Sequence, residues 1–456
     1  MYTIKERKDG KWELKKKSSS KAYRVFDSEI EAIRFCESKN LEYENNSKSA
    51  VNMTVKSVKK HGFLKTFIIL LVVAILGFGG YVLYSYFASP KTSSPIPSVI
   101  EGADFSIHFL ELGNEYTGDA TYIKAGENDI LIDAGSRKDS SKAIKKYIDQ
   151  YVTDGKLEYV IATHAHQDHI AGFIGSNDSD NKDGILYEYK IGTIIDFSKT
   201  GSNSGIYRSY LEAREFAIKN GAKHFTAAEC FEEKNGASKN YDLGGNMSFD
   251  IIYNKYYFEV AEDENDYSVC TMFNYNDHHF FLTGDLEHEG EMSIASYYDG
   301  STKEKTLPKV DVFKAGHHGS ESSSNHELLS IIEPKICAVC CCAGSVEYTA
   351  RNAGTFPTQK FIDRISKYTD KVYVTSYYDE KDLTFKSLNG NIKIECNGTE
   401  IGVNCSNNNT ILKDSEWFNQ KIFTKGGYVS SGKGKTDFYS KATAGAVETI
   451  RRVWPK

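Results

Sequence analysis

The alternation of hydrophobic and polar positions near the N-terminus predicts a small unit over residues 1–45. Two short segments, Tyr2–Glu6 and Lys11–Lys15, have the alternating pattern of β-strands, and Asp9-Gly10 between them is a strong hairpin signal. A third strand is predicted at Ala22–Phe26, and a capping-box sequence then begins a helix. We therefore predict a compact α+β unit at the start of the chain.

The pattern then changes to one long apolar segment. Residues 67–87 contain no charged side chain, and their number is close to the roughly 20 residues that span a bilayer as a helix. Four lysines precede the segment and only Lys91 follows it closely, so the positive-inside rule places the N-terminus in the cytoplasm. We predict a basic linker at residues 46–66, one transmembrane helix at 67–87 and a Pro/Ser-rich spacer at 88–102.

Residues 103–396 alternate strand-like apolar segments with amphipathic helical ones, which predicts an α/β domain. Three apolar segments predict buried strands, and each is followed by histidine or aspartate: Tyr159–Thr163, His279–Thr283 and Val310–Ala315. Residues 397–456 are rich in Asn, Gly and Ser, and they are expected to form an appended module or a tail.

Composition narrows the class of protein further. The net charge of -6 gives no indication of a broad nucleic-acid-binding surface. Nine cysteines are too few for a disulfide scaffold in a chain of 456 residues, and Cys340–Cys342 have the context of a buried strand. Cys396 and Cys405 could still close a small loop. These features favour a globular domain with an apolar core.

The strongest chemical signal is the sequence THAHQDH at residues 163–169. Residues at i and i+2 of an extended chain point to the same side, so His164 and His166 can bind one cation. The chain then turns into a helix, and Asp168 and His169 can face a second cation. Imidazole and carboxylate suit zinc and also manganese. A surface histidine cluster without a metal is the alternative.

Two distant segments supply further candidates. Asp285 in LTGDLE follows a predicted buried strand, and a carboxylate there could bridge two cations. His317 and His318 in AGHHGS follow another such strand. Each segment alone is weak evidence, but together with THAHQDH they predict one site that is assembled from the ends of several strands.

The order HxHxDH, TGD, HHGS resembles the metallo-β-lactamase superfamily, and more narrowly the extracellular hydrolase domain of bacterial competence proteins for DNA uptake (ComEC-like). The sequences IHFLELG, LIDAG, ENDYSV and HHGSESSS extend the likeness over about residues 104–390. The resemblance implies an α/β fold, the αββα sandwich of that superfamily, which here follows the α+β unit and the membrane helix. Together with the apolar segment and its flanking lysines, the resemblance predicts a single-pass protein of the bacterial cell membrane with an extracellular catalytic domain.

The resemblance assigns roles to the individual candidates. Two divalent ions, zinc or manganese, are expected on the following ligands: His164, His166, Asp168, His169, Asp285 and His317. His317 is preferred to His318 because it comes first after the strand, and Asp285 is expected to bridge the two ions. A third first-site histidine, common in the superfamily, is missing between the motifs, where His224 is the only interior candidate.

The remaining candidates surround the metals. Asp168 or Asp285 is expected to orient the nucleophile. Asp133 is expected either to support the histidine loop by a hydrogen bond or to serve only as a turn residue. His318 is expected to contact the metal shell or the substrate. Ser320 could bind a phosphate, or it could satisfy the backbone of a tight turn.

These assignments predict a hydrolase. Two divalent ions would bring the pKa of a bridging water close to neutrality, and the resulting hydroxide would attack phosphorus or a carbonyl carbon. The leading hypothesis is a phosphodiesterase or nuclease that acts outside the cell on nucleic acid or on a cell-wall polymer. A hydrolase of carboxylic esters, lactones or lactams is the second hypothesis, and a non-catalytic metal-binding surface receptor is the third.

Overall fold

The computed structural model describes residues 2–6, 11–16, 22–26, 97, 99–178, 181–345, 347, 355–379, 381–419 and 453–455. The chain divides into two compact units, Met1–Ser94 and Pro95–Lys456. The predicted N-terminal helix, basic linker and membrane segment lie outside the described residues. None of the helices in the described ranges has the length and apolar character that a membrane crossing needs.

The first unit contains a three-stranded antiparallel sheet in the order β1-β2-β3. Its strands are β1 (Tyr2–Glu6), β2 (Trp12–Lys16) and β3 (Ala22–Phe26). The register of the hairpin pairs Ile4 with Leu14, and Leu14 is fully buried. The three predicted strands and the hairpin are therefore confirmed.

The second unit contains the rest of the described structure. Its strands are, in chain order, β4 (Phe105–Phe109), β5 (Thr121–Ala125), β6 (Asn128–Ile132), β7 (Lys156–Ala162), β8 (Asn177–Asp178), β9 (Asn181–Lys182), β10 (Lys190–Asp196), β11 (Lys223–Thr226), β12 (Asn240–Gly244), β13 (Met247–Ile252), β14 (Cys270–Tyr275), β15 (His278–Leu282), β16 (Val312–Lys314), β17 (Ile336–Ala343), β18 (Val372–Asp379), β19 (Thr384–Ser387), β20 (Ile392–Cys396) and β21 (Ile401–Cys405). Its described α-helices are α1 (Ser140–Ile148), α2 (Gln167–Ile174), α3 (Ile185–Glu188), α4 (Gly205–Lys219), α5 (Ala227–Phe231), α6 (His288–Tyr297), α7 (His326–Ile332), α8 (Gln359–Ile365) and α9 (Glu416–Asn419).

Two eight-stranded sheets form the centre of this unit. The first has the order β11-β10-β7-β6-β5-β4-β20-β21 and the second the order β12-β13-β14-β15-β16-β17-β18-β19. They pack face to face, and the rings of Phe105 in β4 and Phe280 in β15 have centroids 4.6 Å apart. In each sheet a parallel part adjoins antiparallel strands.

The side chains of strand β17 show that the second sheet has an apolar core on each of its two faces. Because side chains alternate across a strand, Ala338 and Cys340 enter the core between the sheets, whereas Val339 and Cys341 enter a second apolar core. Helices α6, α7 and α8 contribute to that second core, and α1, α2 and α4 pack with the first sheet. Helices therefore flank the sheets on both sides, which is the predicted αββα sandwich.

The first sheet continues beyond residue 396, where the sequence predicted the domain to end. Strand β21 pairs with β20, and Leu412 and Phe418 are buried in the core beneath the second sheet. The register places Cys396 opposite Ile401, at the end of the hairpin remote from Cys405, and both thiols are free. The suggested loop closure by these two cysteines is therefore wrong.

Candidate metal centre

The candidate residues follow the carboxyl ends of four strands. Asp133 follows β6 and His164 follows β7, and these strands are parallel neighbours. Asp285 follows β15 and His318 follows β16, which are parallel neighbours in the second sheet. Parallel strands end at the same edge of a sheet, which is where open α/β sheets place their ligands. This edge gathers residues that are distant in the sequence.

Four buried side chains form a compact group that we call the four-ligand cluster: Asp168, His169, Asp285 and His318. Each offers one ligand atom, and these atoms lie within 4.8 Å of one another. His169 Nε2 and His318 Nε2 each lie 3.0 Å from Asp285 Oδ2, and His318 Nε2 lies 3.3 Å from Asp168 Oδ2. Two imidazoles and two carboxylates form a donor set that suits a divalent ion such as zinc.

His164 and His166 form a pair beside this cluster. His164 Nε2 lies 3.0 Å from His166 Nδ1, and the ring centroid of His164 is 4.2 Å from that of His169. His166 is extended, with φ -72° and ψ 148°, and precedes α2 directly. The extended loop and the helix that follows it are therefore as predicted. His224 instead lies with its Nε2 2.8 Å from Asp196 Oδ1.

The structure corrects the choice between the two adjacent histidines. His318, not His317, enters the cluster, and it is fully buried. His317 lies at the surface of the site, with its Nδ1 2.9 Å from Glu287 Oε1. Both residues have left-handed backbone, with φ 44° and 55°, in a short 3-10 turn from Gly316 to Gly319. This turn directs the second side chain inward, whereas the prediction used only distance from the strand.

Asp133 orients His169. Asp133 Oδ2 lies 2.7 Å from His169 Nδ1 and accepts a hydrogen bond from the Thr163 hydroxyl. Asp133 Oδ1 accepts a hydrogen bond from the Thr163 N–H. A carboxylate on one ring nitrogen turns the other toward a metal and raises its basicity. Asp133 thus links the end of β6 to both the histidine loop and the cluster.

Two residues of the site, Lys314 and Asp119, were not predicted from the sequence. Lys314 is buried, donates from Nζ to the Gly284 carbonyl at 2.9 Å and forms an ion pair with Asp119. Asp119 Oδ1 lies 3.2 Å from His318 Nδ1. Two signals could have found them: Thr117-Gly118-Asp119 repeats the tripeptide around Asp285, and Lys314 is a charge inside an apolar strand.

The buried polar atoms fit a cation. His169 Nε2 and His318 Nε2 are buried, and no described residue gives either a hydrogen bond of good geometry. Burial lowers the pKa of both histidines, but Asp285 and other nearby carboxylates outweigh it and raise each pKa well above its ordinary value. A divalent ion would replace the imidazolium protons in balancing these carboxylates. The residues present therefore fit a metal.

A pocket of about 610 Å³ opens beside the cluster, with the following lining residues: Arg137, His166, Gln167, Asp168, His317, Ser320, Glu321, Glu347, Phe356 and Thr358. The Arg137 guanidinium lies over the Tyr116 ring, 3.8 Å from its centroid, and forms an ion pair with Glu347. Ser320 Oγ lies 2.9 Å from Ser322 Oγ. Asp168 belongs both to the pocket wall and to the cluster, so a molecule in the pocket would meet the cluster directly.

Comparison with known proteins shows a likeness that includes the histidine loop. Residues 113–175, which include the histidine loop, match the Metallo-beta-lactamase superfamily. Recombination protein 2 of Haemophilus influenzae is 27% identical over 126 residues, which cover 28% of this chain and 14% of that protein. ComE operon protein 3 of Bacillus subtilis is 28% identical over 115 residues, or 25% of this chain and 13% of that protein. Over these residues the chain is similar to the metallo-β-lactamase superfamily and to its ComEC-like members.

The matched part of the ComEC-like chain spans less than a sixth of either relative. Among solved structures, a probable metal-dependent hydrolase from Staphylococcus aureus shares 12% identity, with a TM-score of 0.29 and coverage of 68% of this chain and 99% of that one. A metallo-β-lactamase from Cronobacter sakazakii shares 16% identity, with a TM-score of 0.28 and coverage of 50% and 80%. The match over residues 113–175 supports a metal-dependent hydrolase domain.

Proposed function

We propose that the ComEC-like chain is a membrane-anchored phosphodiesterase whose hydrolase domain lies outside the cell. The observation that carries this proposal is the juxtaposition of the four-ligand cluster with a pocket wall that contains Arg137. A planar guanidinium matches the oxygens of a phosphate and carries a permanent positive charge. Nucleic acid or a phosphate-containing wall polymer is the proposed substrate class.

We infer that Asp168, His169, Asp285 and His318 hold one divalent ion, zinc or manganese. His164 and His166 would hold a second ion next to it. When bound, such ions activate water and stabilise negative charge on a phosphate oxygen. The four-ligand cluster is buried beneath the pocket, so an ion held there would face substrate from one side only.

The side chains around the cluster have separate tasks in this proposal. Asp168 belongs to both the cluster and the pocket lining, where its carboxylate can orient an attacking water. Arg137 would bind a non-bridging phosphate oxygen on one wall, and His317 and Ser320 offer polar atoms on the other. Asp133 keeps His169 oriented through its Nδ1.

The decisive test is a comparison of substrates with the full chain in detergent and added zinc or manganese. We expect hydrolysis of bis(p-nitrophenyl) phosphate and loss of that activity in Asp168→Ala. His279→Ala serves as the control, because His279 lies beside Asn274 on another part of the domain. Turnover of nitrocefin alone would favour the ester, lactone or lactam hypothesis instead. Bound metal with no turnover of either substrate would favour a receptor.

A further inference from the structure

We infer that Lys314 makes the two metal sites unequal, because it pairs with the Asp285 oxygen that does not face the four-ligand cluster. This inference rests on the proposed metal centre. Lys314 ends strand β16, and 2% of its side chain is exposed. A buried ammonium is costly unless it is paired. Its partners are Asp119, the Gly284 carbonyl and Asp285, and two of these three belong to the loop that presents Asp285.

The two oxygens of Asp285 face different neighbours. Oδ2 lies 3.0 Å from both His169 Nε2 and His318 Nε2, inside the four-ligand cluster. Oδ1 lies 3.3 Å from Lys314 Nζ. A carboxylate divided in this way can bridge a second ion through both of its oxygens only if the contact between Oδ1 and Lys314 is displaced. Lys314 therefore limits the bridging that the sequence predicted for Asp285.

The His164–His166 pair is the weaker place for an ion. It contributes two imidazoles, whereas the four-ligand cluster contributes two imidazoles and two carboxylates. This pair should therefore fill only at a higher metal concentration than the four-ligand cluster.

Asp119 has the opposite effect to Lys314, because it favours the binding of an ion at the four-ligand cluster. One of its oxygens pairs with Lys314, and the other lies 3.2 Å from His318 Nδ1. His318 Nδ1 also lies 2.9 Å from the Cys340 carbonyl. The Cys340 carbonyl, with the Asp119 carboxylate beside it, thus fixes the His318 ring with its Nε2 toward the cluster, as oxygen acceptors behind metal-binding histidines do. Asp119 strengthens the first ion's site, while Lys314 weakens the second ion's site.

The inequality of the two metal sites can be tested by equilibrium dialysis of the full chain against Zn²⁺, with metal content measured by mass spectrometry. We expect one tightly bound ion and a second that binds at least about tenfold more weakly. Lys314→Met should tighten the weak site by on the order of tenfold, because it removes the charge and frees Oδ1. Asp119→Asn should weaken the tight site by about 10- to 100-fold.

Lys335→Met provides the matched control. Lys335 pairs with Asp311, another buried carboxylate, at the end of strand β16 opposite Lys314. We expect it to lower the unfolding temperature and to leave both zinc affinities unchanged. An unchanged affinity ratio in Lys314→Met, or weakening of both sites, would overturn the inference. So would two equally tight ions in the wild-type chain, a result that does not depend on whether the variants fold. Failure of the wild-type chain to bind zinc at all would instead refute the proposed function.

Discussion

Glu291 and Arg364 both bind the backbone of the loop that carries His317 and His318: Glu291 accepts from N–H groups, and Arg364 donates to carbonyls. Glu291 accepts the N–H groups of Ser324 and Asn325 at 2.6 and 2.8 Å. Arg364 donates to four carbonyls of the same loop, those of Ser320, Glu321, Ser323 and Ser324. Because the loop contains three non-glycine residues with left-handed backbone, His317, His318 and Ser324, these contacts stabilise a conformation that the sequence alone does not favour.

The first prediction concerns the pH dependence of stability. Burial raises the pKa of Glu291 to about 7, although the loop N–H groups and Arg364 act in the opposite direction. A carboxyl whose pKa is higher in the folded state than in the unfolded state stabilises the fold when protonated. That contribution, on the order of 3 kcal/mol, is lost as pH rises from about 4.5 through about 7.

The test compares the wild-type chain with Glu291→Gln by urea unfolding at pH 5.5 and pH 8, with a chelator present. The free energy of unfolding of the wild type, relative to the variant, should fall as pH rises. Other titrating groups cancel in this difference. A difference that stays flat or increases with pH would show that Glu291 is ionised in the folded protein throughout this range.

The second prediction separates the adjacent histidines. His318→Ala removes a buried ligand of the four-ligand cluster, so the tightly bound zinc and the hydrolytic activity should both be lost. His317→Ala should retain the tight zinc, because His317 contacts Glu287 rather than the cluster. Metal content after gel filtration distinguishes the two variants. Loss of zinc in His317→Ala with retention in His318→Ala would reverse this assignment.

The third prediction concerns recognition of a negatively charged substrate. Arg137→Met should lower kcat/KM for bis(p-nitrophenyl) phosphate by about 10- to 100-fold, because a charge-assisted contact to phosphate is lost. Tight zinc binding should be unaffected. Arg208, whose guanidinium contacts the Asn203 carbonyl at the surface, provides a control as Arg208→Met. Equal effects of both substitutions would indicate that Arg137 has no role in substrate binding.

The fourth prediction concerns a close backbone contact beneath the histidine loop. A Cβ on Gly118 would lie 2.7 Å from the Asp168 carbonyl and 2.8 Å from Ser136, so Gly118→Ala should destabilise the domain by roughly 1–3 kcal/mol. Gly205→Ala should not, because a Cβ there has open space within 4 Å. Thermal unfolding measures both. Equal stability of the two variants would mean that this segment can shift freely.

The sequence predicted the part of the site that depends on local geometry. Extended backbone at His166, followed directly by helix α2, accounts for the HxHxDH spacing. The choice of His318 depended instead on a turn with left-handed residues, which Gly-His-His-Gly does not specify locally. The pairing of Asp119 with Lys314 depended on two segments that meet only in the folded sandwich. Such a contact leaves no periodic pattern in a single sequence.

The same distinction applies to the fold. Alternation and turn signals located the central strands to within a few residues. Strand β21 was not predicted, because its apolar residues lie in a polar, Asn-rich context and their partner strand had to be known first. The boundary of the domain therefore depends on which strands pair in the folded protein, whereas strands β7 and β15 can be located largely from their local sequence.

The packing of strand β17 also has a consequence for thiol chemistry. Neighbouring Cys340 and Cys341 point into different apolar cores, so they cannot form a disulfide with each other. Burial raises the pKa of Cys340 well above its ordinary value, which keeps the reactive thiolate scarce. We expect a cysteine introduced at Val260, which is 82% exposed, to react with maleimide long before these two, as mass spectrometry of the labelled chain would report. Burial thus protects these two thiols in an oxidising environment without the need for a disulfide bond.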